Sequence, residues 1–234
     1  MESVQNELGQ PVGVSLKNWE TRPWPPRTPM VGRYCRLEPL NLEAHAQQLY
    51  DAHVKNGDDK YWTYLPYGPY QSFEEYRVWI ESVYAEDDPQ FFAVIEPQSG
   101  QAVGVASYLR IEPKVGSIEV GHIHFSPSMQ KTPAATEAMF LMMQRAFDEL
   151  GYRRYEWKCD GLNGPSKGAP QRFGFTPEGV FRQCTMYKGR SRDTAWFSII
   201  DAEWPRRKRM FEAWLSPDNF DADGRQLKRL EDFK

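Results

Sequence analysis

Apolar and polar positions along this chain recur in blocks that read as separate elements. Residues 34–40 have the pattern of a strand. Asn41 follows as an N-cap, ahead of a helix to about residue 54 with Leu42, Ala46, Leu49 and Tyr50 on one face. Residues 62–70 are an aromatic loop full of turn residues. Ser72 caps a second helix, with Glu75 placed for a capping box and Tyr76, Trp79, Ile80 and Val83 as the buried face. Strands are predicted at 91–96 and 102–110, joined through 97–100, and at 117–125. A helix over 134–150 carries Met139, Leu141, Met142, Met143, Ala146, Phe147 and Leu150. A strand at 155–159 and a short helix at 166–173 come next. Strands at 180–187 and 194–200 then close around the turn 188–190, and a last helix over 203–215 buries Trp204, Met210, Phe211 and Trp214. Antiparallel hairpins with one strand–helix–strand crossover make an α+β sandwich.

The two ends behave differently. Residues 1–32 lack periodicity and hold five prolines, four of them within 22–30, so they read as an extended arm. Trp19 and Trp24 should be buried to offset the cost of ordering it. The short tether to residue 34 favours docking on the arm's own domain over docking on a second subunit. The last twenty residues are charged and expected on the surface. The division predicted is an arm over 1–32, one domain over 33–202, and a C-terminal helix and tail over 203–234 packed on that domain.

Composition narrows the classes. A net charge of −3 gives no reason to expect nucleic acid or an acidic membrane surface as partner. No apolar run approaches the roughly 20 residues that span a bilayer. The polar, acidic N-terminus does not read as a secretory signal. Cys35, Cys159 and Cys184 are too far apart for a disulfide framework or a zinc site, which leaves reduced, mostly buried thiols and a cytoplasmic location as the expectation. Eight tryptophans and 14% aromatic residues point to aromatic-lined pockets or to a subunit interface, and so to a homodimer as one assembly.

The segment with most chemistry starts at Glu119-Val-Gly-His122 and runs to Ala138. It reads as a strand that breaks, a loop, and a helix start. Thr132 suits the N-cap and Pro133 the first helical position. Free N–H groups and the positive end of the helix dipole make such a junction a site for phosphate or pyrophosphate. The alternative is a loop that only caps a helix.

Three segments together resemble the GNAT superfamily of N-acetyltransferases, in the branch of the ribosomal-protein alanine acetyltransferases. Glu119-Val-Gly-His122 resembles that branch's fourth strand. Residues 130–138 occupy the place of its acyl-CoA pyrophosphate loop. Asn163-Gly-Pro-Ser166 with Arg172-Phe-Gly-Phe-Thr-Pro-Glu-Gly179 resembles its Asn-x-x-Ser…Gly-Phe-x-x-Glu-Gly signature. The resemblance spans roughly residues 33–202. It implies a mixed, mostly antiparallel twisted sheet with helices on both faces and a V-shaped split between the fourth and fifth strands. It implies acetyl-CoA as co-substrate, and a small-molecule, amino-acid-derivative or peptide amine as acceptor. Lys131 and Pro133 stand where the family's loop has two glycines. The loop is therefore expected to be a remodelled cradle, with donors from Thr132, Ala134, Ala135 and Thr136 and a charge from Lys131.

Such a reaction needs a base for the amine and an acid for the departing thiolate. Glu119 is the candidate base, in a setting expected to be apolar; the alternative is a structural carboxylate paired with a nearby arginine. His122 and His124 alternate along the same strand and should face one side, where His122 is a second candidate base. No further ligands stand at suitable spacing for a metal. Ser166 is the candidate acid, against a plain N-cap as the alternative. The resemblance places His124, Phe125, Ser126, Asn163 and Ser166 along the pantetheine, with free backbone groups near Phe125. Trp62, Tyr64 and Tyr67 are candidates for the acceptor wall or for a cation–π box, against a hydrophobic cluster closing the domain edge. Asp193 is a candidate for a charged acceptor group, against a turn residue. A GNAT-fold protein that binds a ligand without turnover, or an interaction module built on the aromatic arm, is the alternative to an enzyme.

Overall fold

The computed structural model describes residues 3–233. Strands β1 (Ser3–Gln5) and β2 (Pro11–Gly13) form a small exposed hairpin. This is a departure from the featureless arm expected. Asn6 makes the turn: its Oδ1 accepts from the amides of Leu8 and Gln10. The chain then runs extended to β3 (Met30–Val31) and β4 (Arg36–Pro39). Helix α1 (Leu42–Tyr50) continues into a wider π turn, and α2 (Phe73–Val83) follows the aromatic loop. Both helices start where the caps were expected. Asn41 accepts from the amide of Ala44 and Ser72 from that of Glu75, while Glu75 returns a bond to the amide of Gln71.

Strands β5 (Gln90–Ile95), β6 (Ala102–Glu112) and β7 (Ser117–Phe125) come next, then helix α3 (Pro133–Gln144) and β8 (Arg154–Asp160). Helix α4 (Gly164–Phe173), strands β9 (Thr176–Tyr187) and β10 (Arg190–Ile200), and helix α5 (Trp204–Leu215) complete the set. Gly174 ends α4 at φ 86°, the left-handed conformation that favours glycine at a helix C-terminus.

Eight strands form one sheet in the order β3-β4-β5-β6-β7-β8-β10-β9. All neighbours are antiparallel except β7 and β8. Helices cover both faces, so the mixed α+β architecture is the one the chain's pattern and resemblance implied. One core lies under α3, α4 and α5, with Tyr108, Ile118, Val120, Met142, Trp157 and Phe211. The other lies under α1 and α2, with Leu49, Trp62, Tyr76, Trp79, Phe91 and Val105.

The parallel pair sets the shape of the site. β7 and β8 pair from Ser117↔Arg154 to Val120↔Trp157 and then part, although both strands run on to Phe125 and Asp160. This is the V-shaped split expected between the fourth and fifth strands of the domain. β7 also carries a bulge: Ser107 pairs with Gly121 but Val105 with His124, and His122 sits at φ 51°. Simple alternation would put His122 and His124 on the face opposite Glu119. The extra residue turns both histidines to the α1/α2 face, which Glu119 shares.

The arm docks on its own domain. Trp19 Nε1 donates to Lys114 O, Gln90 Nε2 to Pro25 O, and the buried Arg145 to Thr28 O and Pro29 O. Trp24 departs from expectation and stays 43% exposed. Polar bonds from the domain to the arm's carbonyls do the anchoring that tryptophan burial was expected to do. A proline-rich segment offers such carbonyls because it forms no ladder of its own. The tail returns too: Leu230 is buried in the core beside α5. Among the described residues, Cys184 is exposed while Cys35 and Cys159 are buried, and no helix is long and apolar enough to cross a membrane.

Candidate active site

Past the parting of β7 and β8, the chain folds a tight loop onto the start of α3. Ser126 N donates to Val103 O, and Gln130 N to Ser126 O. Gln130 Nε2 donates to Phe125 O at 2.9 Å, so that carbonyl, expected free, is taken. Lys131 lies at φ 61°, the left-handed region that glycine favours. The loop therefore keeps a glycine-type backbone without glycine, at a cost of about 1–2 kcal/mol. Thr132 Oγ1 accepts from Ala135 N at 3.4 Å and donates to Met129 O. Among the described residues the amides of Lys131 and Ala134 make no bond to a protein acceptor. They stand with an exposed lysine at a helix N-terminus, a donor set that fits a pyrophosphate. Thr136 is buried and its hydroxyl accepts from Arg172 Nη1 at 3.0 Å, tying α3 to α4.

Glu137, one residue on, was not singled out from sequence. It is buried, and its carboxylate accepts from the amides of Arg33, Tyr34 and Cys35. An acidic residue inside the apolar run 134–150 was the available signal, because a buried carboxylate needs partners.

On the other side of the split, Asn163 rather than Ser166 is the N-cap of α4: Asn163 Oδ1 accepts from Ser166 N at 3.1 Å. Ser166 Oγ instead accepts from Trp157 Nε1 at 3.2 Å. Trp157 is the last β8 residue paired with β7, so the serine hydroxyl is fixed at the depth where the strands part. With an oxygen lone pair used by the indole, its proton points elsewhere, and the buried Cys159 sulfur lies within its reach.

Glu119 lies one residue before the last paired position of β7 and is buried. Its surroundings are not the apolar ones expected. Oε2 receives Arg110 Nη1 at 2.9 Å and Lys158 Nζ at 2.8 Å. Burial pushes its carboxyl above the usual range, and the two cations oppose that push without cancelling it. Lys158 also meets Glu156 at 2.8 Å and lies 3.8 Å over the Trp196 ring. Arg154 joins Glu156 to Glu178, which accepts from the Ser198 hydroxyl. Sequence reasoning missed this row. Its signal was the period-two pattern Arg154-x-Glu156-x-Lys158-x-Asp160, which places four ionisable groups on one strand face.

The two strand histidines are neutral groups here. His122 Nδ1 pairs with Tyr67 Oη at 3.2 Å, and burial pushes its pKa down to about 4. His124 is stacked on His53 at 3.9 Å under the edge of Trp62, and burial pushes it down to about 3. Neither has the basicity that neutral-pH proton abstraction asks for. Among the described residues no group of three or more His, Cys, Asp or Glu is placed to hold a metal.

The aromatic loop divides. Trp62 is 1% exposed and packs with Tyr67, Tyr70 and Tyr76 in the α1/α2 core. Tyr64 reaches across to donate to Leu162 O at 3.2 Å. The turn between β9 and β10 holds the loop down: Lys188 donates to Trp62 O and Arg190 to Thr63 O, both at 2.7 Å. Asp193 accepts from Gln183 N at 2.7 Å, where the β9–β10 register shifts, so that carboxylate is bound to backbone.

A model of the acetyltransferase (GNAT) domain family matches residues 35–176. A GCN5-related N-acetyltransferase from Brucella melitensis is 49% identical, with 93% of this chain and 99% of that one covered at a TM-score of 0.91. A probable acetyltransferase of the GNAT family from Chromobacterium violaceum is 39% identical over 84% of this chain and 98% of that one, at 0.78. The uncharacterized N-acetyltransferase p20 of Bacillus licheniformis is 23% identical over 62% of this chain and 81% of its own length.

Proposed function

The chain belongs to the GNAT acetyltransferase family, and from that premise we propose that it is an acetyl-CoA-dependent N-acetyltransferase acting on a primary amine of a small molecule, an amino-acid derivative or a peptide N-terminus. The observation that carries this reading is the point where β7 and β8 part. Glu119 precedes the last β7 residue of the pair, and the Ser166 hydroxyl is bonded to the last β8 residue of it.

Each group has one task. The amides of Lys131 and Ala134, with the Lys131 ammonium, hold the pyrophosphate of acetyl-CoA. Acetyl-CoA supplies the acyl group as a thioester. Glu119 takes the ammonium proton of the acceptor, directly or through one water, through Oε1, because Oε2 already serves two cations. A raised carboxyl pKa suits a base that must accept a proton near neutrality. The freed amine forms the C–N bond at the thioester carbonyl, the C–S bond breaks as the tetrahedral adduct collapses, and Ser166 gives its proton to the departing thiolate and regains one from the nitrogen, which loses its second proton. Tyr64 and the loop held by Lys188 and Arg190 border the acceptor's side.

Calorimetric titration with acetyl-CoA, followed by a thiol-release assay on alkyl amines, aromatic amines, amino-acid amides and short peptides, tests this. Binding with amine-dependent release supports transfer. Binding with no release for any amine refutes it.

A further inference from the structure

Glu119 of β7 and Glu156 of β8 stand directly opposite each other in the parallel pair, on the same face. Like charges in that relation destabilise a sheet. Both are nearly buried, at 3% and 9% exposure, so water does little to screen them. The group between them is Lys158 Nζ, 2.8 Å from each carboxylate. Lys158 is the first β8 residue beyond the last paired position, so it reaches back across the apex of the split. The Trp196 ring caps its ammonium.

The charged groups around this pair come from three strands. Arg110 of β6 is the second cation on Glu119. Arg154 of β8 is the second cation on Glu156 and continues to Glu178 of β9. His122, on β7 itself, stays neutral. Three cations thus face three carboxylates, and the centre of the row is Lys158.

We propose that Lys158 is a positioning residue for acetyl transfer: by bridging Glu119 and Glu156 across the apex of the split it sets a cation between the two carboxylates and occupies Oε2, leaving Oε1 as the atom that receives the amine's proton. This rests on Glu119 being the base. It also explains why a carboxylate that needs a free edge can sit opposite a second one. Arg110 alone cannot do the same, since its side chain is 60% exposed and it does not reach Glu156.

The test uses the full chain with 13C-labelled glutamate carboxyls, the Glu119 signal being assigned by its loss in Glu119→Gln. In Lys158→Met the ionisation midpoint of Glu119 rises by about 1–3 pH units, the range an adjacent opposite charge commands. The acidic limb of kcat/KM moves by the same amount, a tenfold loss per unit at a pH below both limbs. Lys158→Arg keeps the charge and returns the midpoint toward wild type. Glu156→Gln, which needs no loss of the lysine, lowers the midpoint because Lys158 then serves Glu119 alone. An unmoved midpoint in Lys158→Met, or a rise in Glu156→Gln, overturns the inference. The base reading fails separately: it is lost if Glu119→Gln leaves the acidic limb in place, whatever the Lys158 variants do.

Discussion

Lowering the pH from 7.5 to 5 should cost this protein stability through its histidines, with His124 as the clearest case. The imidazole is 4% exposed, stacked on His53, and its Nδ1 has no hydrogen-bond partner. Folding keeps it neutral, with a pKa of about 3, whereas an unfolded histidine titrates near 6.5. The folded pKa is the lower one, so the unfolded chain binds more protons and stability rises with pH. At pH 5 the unfolded ring is almost fully protonated and the folded ring is not, which costs about 2 kcal/mol for this one residue. The figure depends little on the folded pKa, provided that it lies well below 5. His53 moves the same way, pushed down by burial and by its partner ring. Glu119 works in the opposite direction, since a raised carboxyl loses stability as pH rises, but it is common to both proteins compared below and cancels in the difference. The assay is urea unfolding of wild type and His124→Phe at pH 7.5, 6.5, 5.5 and 5. Phenylalanine keeps a ring on His53 and removes one titration. The variant's loss between pH 7.5 and 5 should be smaller than that of wild type by about 2 kcal/mol. Parallel curves for the two proteins would show that His124 is protonated in the folded state and that the stacked pair is not sealed.

Ser166→Ala should lower kcat by roughly 10²–10⁴-fold, the range of a general acid, with little change in acetyl-CoA affinity; unchanged turnover when chemistry limits the rate rejects the acid role. Lys131→Glu puts a negative charge beside the cradle and should weaken acetyl-CoA binding by about 1–3 kcal/mol in a direct titration, and equal affinity would place the pyrophosphate elsewhere. Deleting residues 1–29 removes both carbonyl partners of the buried Arg145 and the partner of Gln90, so the melting temperature should fall by several degrees without dissociation of any oligomer; an unchanged melting temperature refutes the docking described. Glu137→Ala leaves three amides of the 33–35 turn unpaired and should cost about 2–4 kcal/mol by chemical unfolding, an effect that a merely helical residue would not show.

The α+β class and most elements were legible because they rest on local rules. Asn41, Ser72 and Thr132 each cap the helix that follows because an orphan amide lies three residues away, a distance the chain alone sets. The apolar faces of α2 and α5 follow from a 3.6-residue period in the same way. The motif segments could be recognised and their residues numbered, but the partners of those residues could not. Lys158 reaches Glu119 across a parallel pair whose strands are separated by a crossover helix, and Glu137 serves a turn about a hundred residues earlier. Those distances in sequence leave no local pattern. Alternation set His122 and His124 on one side, but which side they share with Glu119 was decided by a single bulged residue at His122, because the period of two resets wherever one strand carries an extra residue. The arm shows the same division. Its prolines made it extended from sequence alone, but where it lies was decided by the buried Arg145 and Gln90, which needed carbonyl acceptors that only the folded domain brings within reach.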